Sequence, residues 1–201
     1  GNFEKTAEYS LEVINSGEYD LEPEFARAFS IEGQFGVESI FEMGAIGDEN
    51  FTNGGNQFAN TQGVRGIPNK GWGFNRPSID LMNSYETGDA RKDATIIFLN
   101  ETLDGVLIVG DENTPDVTYT DDSQTEIAEM ECYNQKVWVP GETTVEGWGL
   151  NVRFIRYADI LLFAAEALNE LGRSSEALVY LNRIRERSGL SPLTTTDASE
   201  L

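Results

Sequence analysis

Residues 151–190, NVRFIRYADILLFAAEALNELGRSSEALVYLNRIRERSGL, contain two amphipathic helices joined by a turn. Ile155, Ala158, Leu161, Leu162, Ala165, Leu168 and Leu171 recur at three- and four-residue steps, which places them on one stripe of a helix. Gly172 ends that stripe, because glycine tolerates the left-handed backbone with which helices terminate, and Ser174 or Ser175 is expected to cap the next helix. The second helix runs to about Ser188. Its apolar set is Ala177, Leu178, Leu181 and Ile184. Arg183, Arg185 and Arg187 lie near its C-terminal end, where the helix dipole favours cations, and Gly189 closes it. Two such helices cannot bury their apolar faces alone, so the fold must supply further helical layers.

A candidate layer stands at the other end of the chain. Residues 2–16 read as a helix with Phe3, Ala7, Leu11 and Ile14 on one face and Gly17 after it. Ala7, Leu11 and Ile14 match Ala177, Leu181 and Ile184 step for step, and the glycine before the second helix resembles a tetratricopeptide hairpin. This spacing predicts that helix 2–16 packs against a first helix preceding Gly1. Asp197 with Glu200 three residues on reads as a capping box, so residues 191–201 are expected to begin a further helix. The chain is thus expected to be an internal fragment.

The helix pair carries a denser pattern than amphipathicity requires. Arg156, Tyr157, Ala158 and Asp159 are followed by Ala165, Glu166, Ala167 and Asn169, then by Leu181, Asn182, Arg185, Arg187, Gly189 and Leu190. These residues resemble the C-terminal signature of the SusD/RagB family. Pro77, Ser78, Leu81, Tyr85, Asp89 and Arg91 resemble a second element of it. The resemblance implies a mainly α, SusD-like fold of tetratricopeptide-type hairpins carrying long loops and small β-hairpins. It also implies a lipoprotein of the outer-membrane cell surface that binds an oligosaccharide or polysaccharide. The ligand would pass to a SusC-like, TonB-dependent outer-membrane transporter without catalysis or cofactor. Membrane attachment would run through a lipid anchor upstream of this chain. Peptide capture is the alternative within the family.

Composition narrows the partners further. The formal charge is −21, residues 101–131 contain no Lys or Arg, and arginines concentrate at positions 153, 156, 173, 183, 185 and 187. Nucleic acid, which needs a basic footprint, is disfavoured. With no histidine in the 201 residues, neither a Ser–His–Asp triad nor a Cys–His pair can be assembled from this chain, nor the usual Zn²⁺ ligand sets. Cys132 is the single cysteine, which excludes an intrachain disulfide. No apolar run reaches the length of a membrane-spanning helix.

Between the terminal helices, residues 17–150 read as a loop-rich, ligand-facing region with short strands. Residues 35–41 alternate as a strand, and 44–75 form a long glycine- and asparagine-rich excursion holding Phe51, Phe58, Trp72 and Phe74. A helix follows Pro77 to about Tyr85. Residues 96–99 and 106–109, around Asp104-Gly105, read as a hairpin. The acidic span 111–131 is expected to be the least structured, 133–139 reads as a strand, and 140–149 as loop.

A glycan site needs aromatic faces on which sugar C–H groups stack, beside short polar or cationic side chains that bond the hydroxyls. The loop before Pro77 has both: Trp72 and Phe74, with Asn69, Asn75 and Arg76. An inward-folded anchor is the competing reading of both rings. Trp138 reads as core, and Trp148 between glycines reads as packed loop. Arg156, Asp159, Glu166 and Arg185 are read as a structural ion-pair network, because charges on an apolar helix face require partners. A glycoside hydrolase would instead use Asp159 and Glu166 as acid and base. On one helix they stand about 10.5 Å apart along the axis, with no cleft implied. Asp89 and Arg91 read as a structural turn pair. Asp111, Glu112, Asp116, Asp121 and Asp122 are the candidates for Ca²⁺, without EF-hand spacing, and a solvated acidic face is the plainer reading. A helical scaffold for protein partners is the remaining alternative, favoured if Trp72 and Phe74 are buried.

Overall fold

The computed structural model describes residues 1–47, 57–111, 116–120, 125–140 and 149–201. Its elements in chain order are α1 (Phe3–Ser16), β1 (Ser39–Met43), α2 (Gln57–Gln62), α3 (Ile79–Ser84), α4 (Ala90–Asp93), β2 (Ile96–Phe98), β3 (Thr102–Leu103), β4 (Val106–Leu107), β5 (Asp116–Thr120), β6 (Thr125–Glu129), β7 (Cys132–Asn134), β8 (Val152–Arg156), α5 (Tyr157–Glu170) and α6 (Ser174–Arg187). Short 3-10 turns occupy Phe25–Phe29 and Gln135–Val137. The fold is mainly helical, as expected, and the chain divides into two compact units: residues 1–43, 88–90 and 153–201, and residues 44–87 and 91–152.

In the first unit α5 packs against both α1 and α6. Ala7 of α1 and Ala177 of α6 belong to one buried cluster with Ala165, Ala167 and Leu168. Ile14 and Ile184 belong to a second, with Tyr157, Ala158 and Leu161. The matched spacing at the two ends of the chain therefore has a physical basis: α1 and α6 offer equivalent residues to the two ends of α5. The alanines let the helices approach closely, and burying Leu161 and Leu168 contributes roughly 2 kcal/mol each. Within the described chain, the partner of α1 is α5.

The helix pair differs from its expected limits at three points. Residues 152–156 form β8, paired with β1, and Ile155 is exposed rather than on the stripe. The helix starts later because the Asp159 carboxylate accepts the Arg156 N–H at 2.8 Å, a bond that fixes the first turn at Tyr157. Leu162 is also exposed, and Ala164 and Ala167 are buried instead. Arg173, not a serine, holds the cap position of α6. The Ser174 hydroxyl donates to the side-chain Oδ1 of Asn169 at 2.7 Å. Gly172, with φ of 73°, makes the turn between the helices.

The ion-pair network is centred on Glu38, which is buried. Its carboxylate accepts Arg156 Nη1 at 2.9 Å, Arg187 Nη1 at 2.7 Å and the Glu22 N–H at 2.8 Å. Arg156 also bonds Asp159 at 3.0 Å. Glu166 and Arg185 stand outside this set, contrary to expectation. Glu166 lies two turns along α5 from Asp159 and is exposed, while antiparallel packing brings the arginine end of α6 to the opposite end of α5. Arg185 donates its Nε to the Ser191 carbonyl at 2.9 Å. Asn182 exchanges two bonds with the Leu193 backbone, and Asn169 donates to the Ala198 carbonyl. These signature polar groups thus hold residues 191–198 in place of missing ladder partners.

In the second unit, 96–98 and 106–109 do not form one hairpin. Positive φ at Asn100 turns β2 away, and β2 pairs antiparallel with β7, Ile97 opposite Tyr133. The Asp104-Gly105 turn instead joins β3 to β4, with Leu103 opposite Val106. Residues 44–75, read as a loop throughout, contain α2. Residues 133–139, read as a strand, form the end of β7 and a 3-10 turn. In the acidic span the backbones of β5 and β6 pair antiparallel. Its candidates Glu112, Asp121 and Asp122 lie outside the described residues, as do Phe51 and Trp148. Val64, Ile97, Ile108 and Tyr133 form one core cluster here, with Leu99, Leu103 and Trp138 against it.

Candidate functional site

The candidate site is built by the segment that follows α2. Its chain runs out from Gly63 and returns along the helix end. The N–H groups of Trp72, Gly73 and Phe74 donate to the carbonyls of Asn60, Gly63 and Thr61 at 2.8, 3.0 and 2.8 Å. Such close approach requires glycine: a Cβ on Gly71 would meet the Asn60 oxygen at 2.4 Å, and one on Gly63 the Lys70 oxygen at 2.3 Å. Lys70 turns inward, its ammonium bonding the Val139 carbonyl at 3.0 Å and lying 4.2 Å from the Trp138 ring centroid. Ile67 bonds Gly110, with its N–H to the Gly110 oxygen at 2.8 Å, and this stitch brings residues 110 and 111 to the loop.

The consequence is a pair of rings left outside. Trp72 is 44% exposed and Phe74 is 61% exposed, with centroids 6.3 Å apart and planes at 88°. Neither ring is the inward anchor that the competing reading required. They border a cleft of about 270 Å³ lined also by Arg65, Asn75, Arg76, Asp111 and Tyr133. Asn75, in the left-handed region with φ of 52°, donates its Nδ2 to Gln62 Oε1 at 2.7 Å, which leaves its own oxygen as an acceptor beside the rings.

Tyr133 and two acids form the base of the cleft. The Tyr133 ring lies under Gly73, whose φ of 72° and missing Cβ permit the contact. Its hydroxyl donates to the buried Glu131 carboxylate and stands 3.1 Å from the Arg65 carbonyl. Burial, reinforced by that bond and the Glu131 charge, pushes the phenol well above its ordinary pKa, so it is a neutral donor at physiological pH. Glu131 also accepts the Asp111 N–H at 3.0 Å, and Asp111 pairs with Arg65 Nε at 2.9 Å. The arrangement can stack a sugar ring and bond its hydroxyls.

Of the residues expected at the site, Trp72, Phe74, Asn75 and Arg76 come together, while Asn69 is exposed on the same loop but does not line the cleft. Arg65, Asp111 and Tyr133 were not foreseen. Arg65 precedes the aromatic cluster by too few residues to signal a fold-back, and Asp111 reads as part of an acidic run. The acid–base pairing of Asp159 with Glu166 has no support in the geometry. Asp159 is occupied by Arg156 at the start of α5, and Glu166 lines a separate helical groove that contains no aromatic ring. Asp89 is buried in its turn. Among the described residues no helix is long and apolar enough to cross a membrane.

Comparison with known proteins places these features in a family. The chain is 30% identical over 202 residues to SusD-like protein P2 of Formosa agariphila, a match covering 94% of this chain and 39% of that protein. The structure is similar to surface glycan-binding protein A from Bacteroides uniformis, with a TM-score of 0.71 at 25% identity, over 97% of this chain and 40% of that one. It is also similar to surface glycan-binding protein A from Bacteroides thetaiotaomicron in complex with laminarihexaose, with a TM-score of 0.69 at 25% identity, over 98% of this chain and 45% of that one. The chain therefore spans less than half the length of the relatives it matches. The model of the SusD family matches residues 37–200, most of the chain, and on this ground the chain belongs to the SusD family.

Proposed function

We propose that this chain carries a glycan-binding site of a cell-surface protein, with Trp72 and Phe74 as the stacking platform and Asn75, Arg76, Arg65 and Asp111 as partners for sugar hydroxyls. The observation that carries the reading is the exposure of two adjacent rings beside a polar cleft, where burial would have been the stable outcome for rings with a merely structural role. The similarity to a protein that holds laminarihexaose supports it. The site binds and releases without bond making or breaking. In the whole protein the captured oligosaccharide passes to a TonB-dependent transporter of the outer membrane, to which the protein is held by a lipid anchor.

Titration calorimetry with a panel of neutral and acidic oligosaccharides tests the site. Trp72→Ala should weaken binding of the best ligand at least about tenfold, since a stacked ring contributes of the order of 1 kcal/mol beyond its buried area. The melting temperature should hardly change, because the ring is half exposed. Saturable binding of a peptide pool with no response to any sugar would overturn the reading.

A further inference from the structure

The cleft also carries a charge arrangement that a platform for neutral sugars does not need. Arg65 pairs with Asp111 through its Nε, at 2.9 Å, which leaves the terminal Nη1 and Nη2 fork for another partner. The Arg65 side chain is 58% exposed while that of Asp111 is 13% exposed, so the cation faces outward and its counter-ion lies beneath it. Asp111 is itself fixed, because its N–H donates to buried Glu131. The guanidinium is thus anchored at one edge and open at the other, the preorganised form that takes a carboxylate or sulfate through two parallel bonds. Arg76 lines the same cleft, so two cations stand at it above Asp111 and the buried Glu131, in a chain with a formal charge of −21.

Resting on the reading of this cleft as a glycan site, we propose that its ligand is an anionic saccharide. The Arg65 fork holds a carboxylate or sulfate group while a sugar ring lies against Trp72 and Phe74. Uronic acids and sulfate esters supply the same planar or tetrahedral oxyanion, and the fork accepts either.

The test compares ligands that differ in charge and little else: trigalacturonate, its methyl ester, a sulfated carrageenan oligosaccharide, and neutral laminarihexaose. Titration is at about 150 mM salt, where charges beyond roughly 8 Å are screened and the nearby groups dominate. Trigalacturonate or the sulfated ligand should bind at least about tenfold more tightly than the methyl ester and laminarihexaose. Arg65→Gln should collapse that ratio towards one, whereas Arg65→Lys, which keeps charge but loses the fork, should recover only part of it. Whichever acidic arm binds identifies the source of the anion. Equal affinity for trigalacturonate and its ester, or a preference that survives Arg65→Gln, overturns the proposal. Binding of laminarihexaose alone, lost in Trp72→Ala, overturns the anionic ligand and leaves the platform standing. No binding in any arm sinks both.

Discussion

The two units of the chain use charged and aromatic residues in opposite ways. In the helical unit two arginines are directed inward: Arg156 and Arg187 converge on Glu38, and their guanidinium carbons lie 5.0 and 5.2 Å from the ring centroids of Phe29 and Phe25. In the loop-bearing unit Arg65 faces outward, and Trp72 and Phe74 have no such cover. The same residue types serve as struts in one unit and as contact groups in the other. What separates the roles is whether the local backbone can bury them. Helix faces repeat and pack, while the loop tied by glycines to the end of α2 buries Val64 and Lys70 and leaves the Trp72 and Phe74 rings outside.

The largest expected effect tests the inward half. Glu38 has 3% of its side chain exposed and Arg187 has 5%. Glu38→Gln leaves two cations without their shared anion in a low-dielectric site, and breaking a buried pair in this way costs about 3 kcal/mol or more. Urea unfolding should show that loss as a lower midpoint at an unchanged slope. A loss below about 1 kcal/mol would mean that the arginines relax to solvent and that the contrast between units is overdrawn.

A smaller effect tests why the rings stand out. Gly71→Ala places a Cβ 2.4 Å from the Asn60 oxygen and 2.6 Å from the Gly63 Cα, so the Trp72 N–H to Asn60 bond must break or lengthen. About 2 kcal/mol of stability should be lost, and saccharide affinity should fall by about tenfold although no contact group has changed. Asn69→Ala on the same loop should alter stability by less than about 0.5 kcal/mol. Equal effects at the two positions would show that loop tethering does not set the exposure of the rings.

The helical unit was largely legible because its signals are local. A 3.6-residue apolar period and Gly172 between two stripes predict the pairing of α5 with α6, whereas the shared steps of Ala7 and Ala177 point to a helix before Gly1 as the partner of α1, and its partner among the described residues is α5. Glu38 was hidden because its partners lie far along the chain, at Arg156 and Arg187, and Glu166 looked like a better partner only when antiparallel packing was ignored. At the site, Trp72, Phe74, Asn75 and Arg76 were legible as neighbours in one glycine-rich run. Arg65, Asp111 and Tyr133 were not. They are gathered by the bonds between Ile67 and Gly110 and by the pairing of β2 with β7, and backbone stitches of that kind leave no mark in residue periodicity. The 96–99 and 106–109 runs misled for a related reason: their turn was real, but positive φ at Asn100 redirected the first run to a partner further along the chain.

The smallest effect concerns the base of the cleft, where the loop-bearing unit does bury a polar group. Burial, first, and then the bond to Glu131 raise the Tyr133 phenol above its ordinary pKa. The folded chain therefore keeps this proton at a pH where the unfolded chain releases it. A group raised in this sense contributes stability that is fully present below the unfolded value of about 10 and is lost as pH rises beyond it. Between pH 10 and 11 that loss should approach about 1.4 kcal/mol per unit for this one group. Tyr133→Phe removes the term, so its stability should fall less steeply over the same interval, by about one proton in the slope, although the variant is less stable at neutral pH for want of the bond to Glu131. Urea unfolding at pH 9, 10 and 11, with tyrosinate absorbance followed in parallel, reads both quantities. Parallel pH profiles for the two proteins would place the phenol in contact with solvent, and the ring would then be a fourth outward-facing group of the cleft instead of its base.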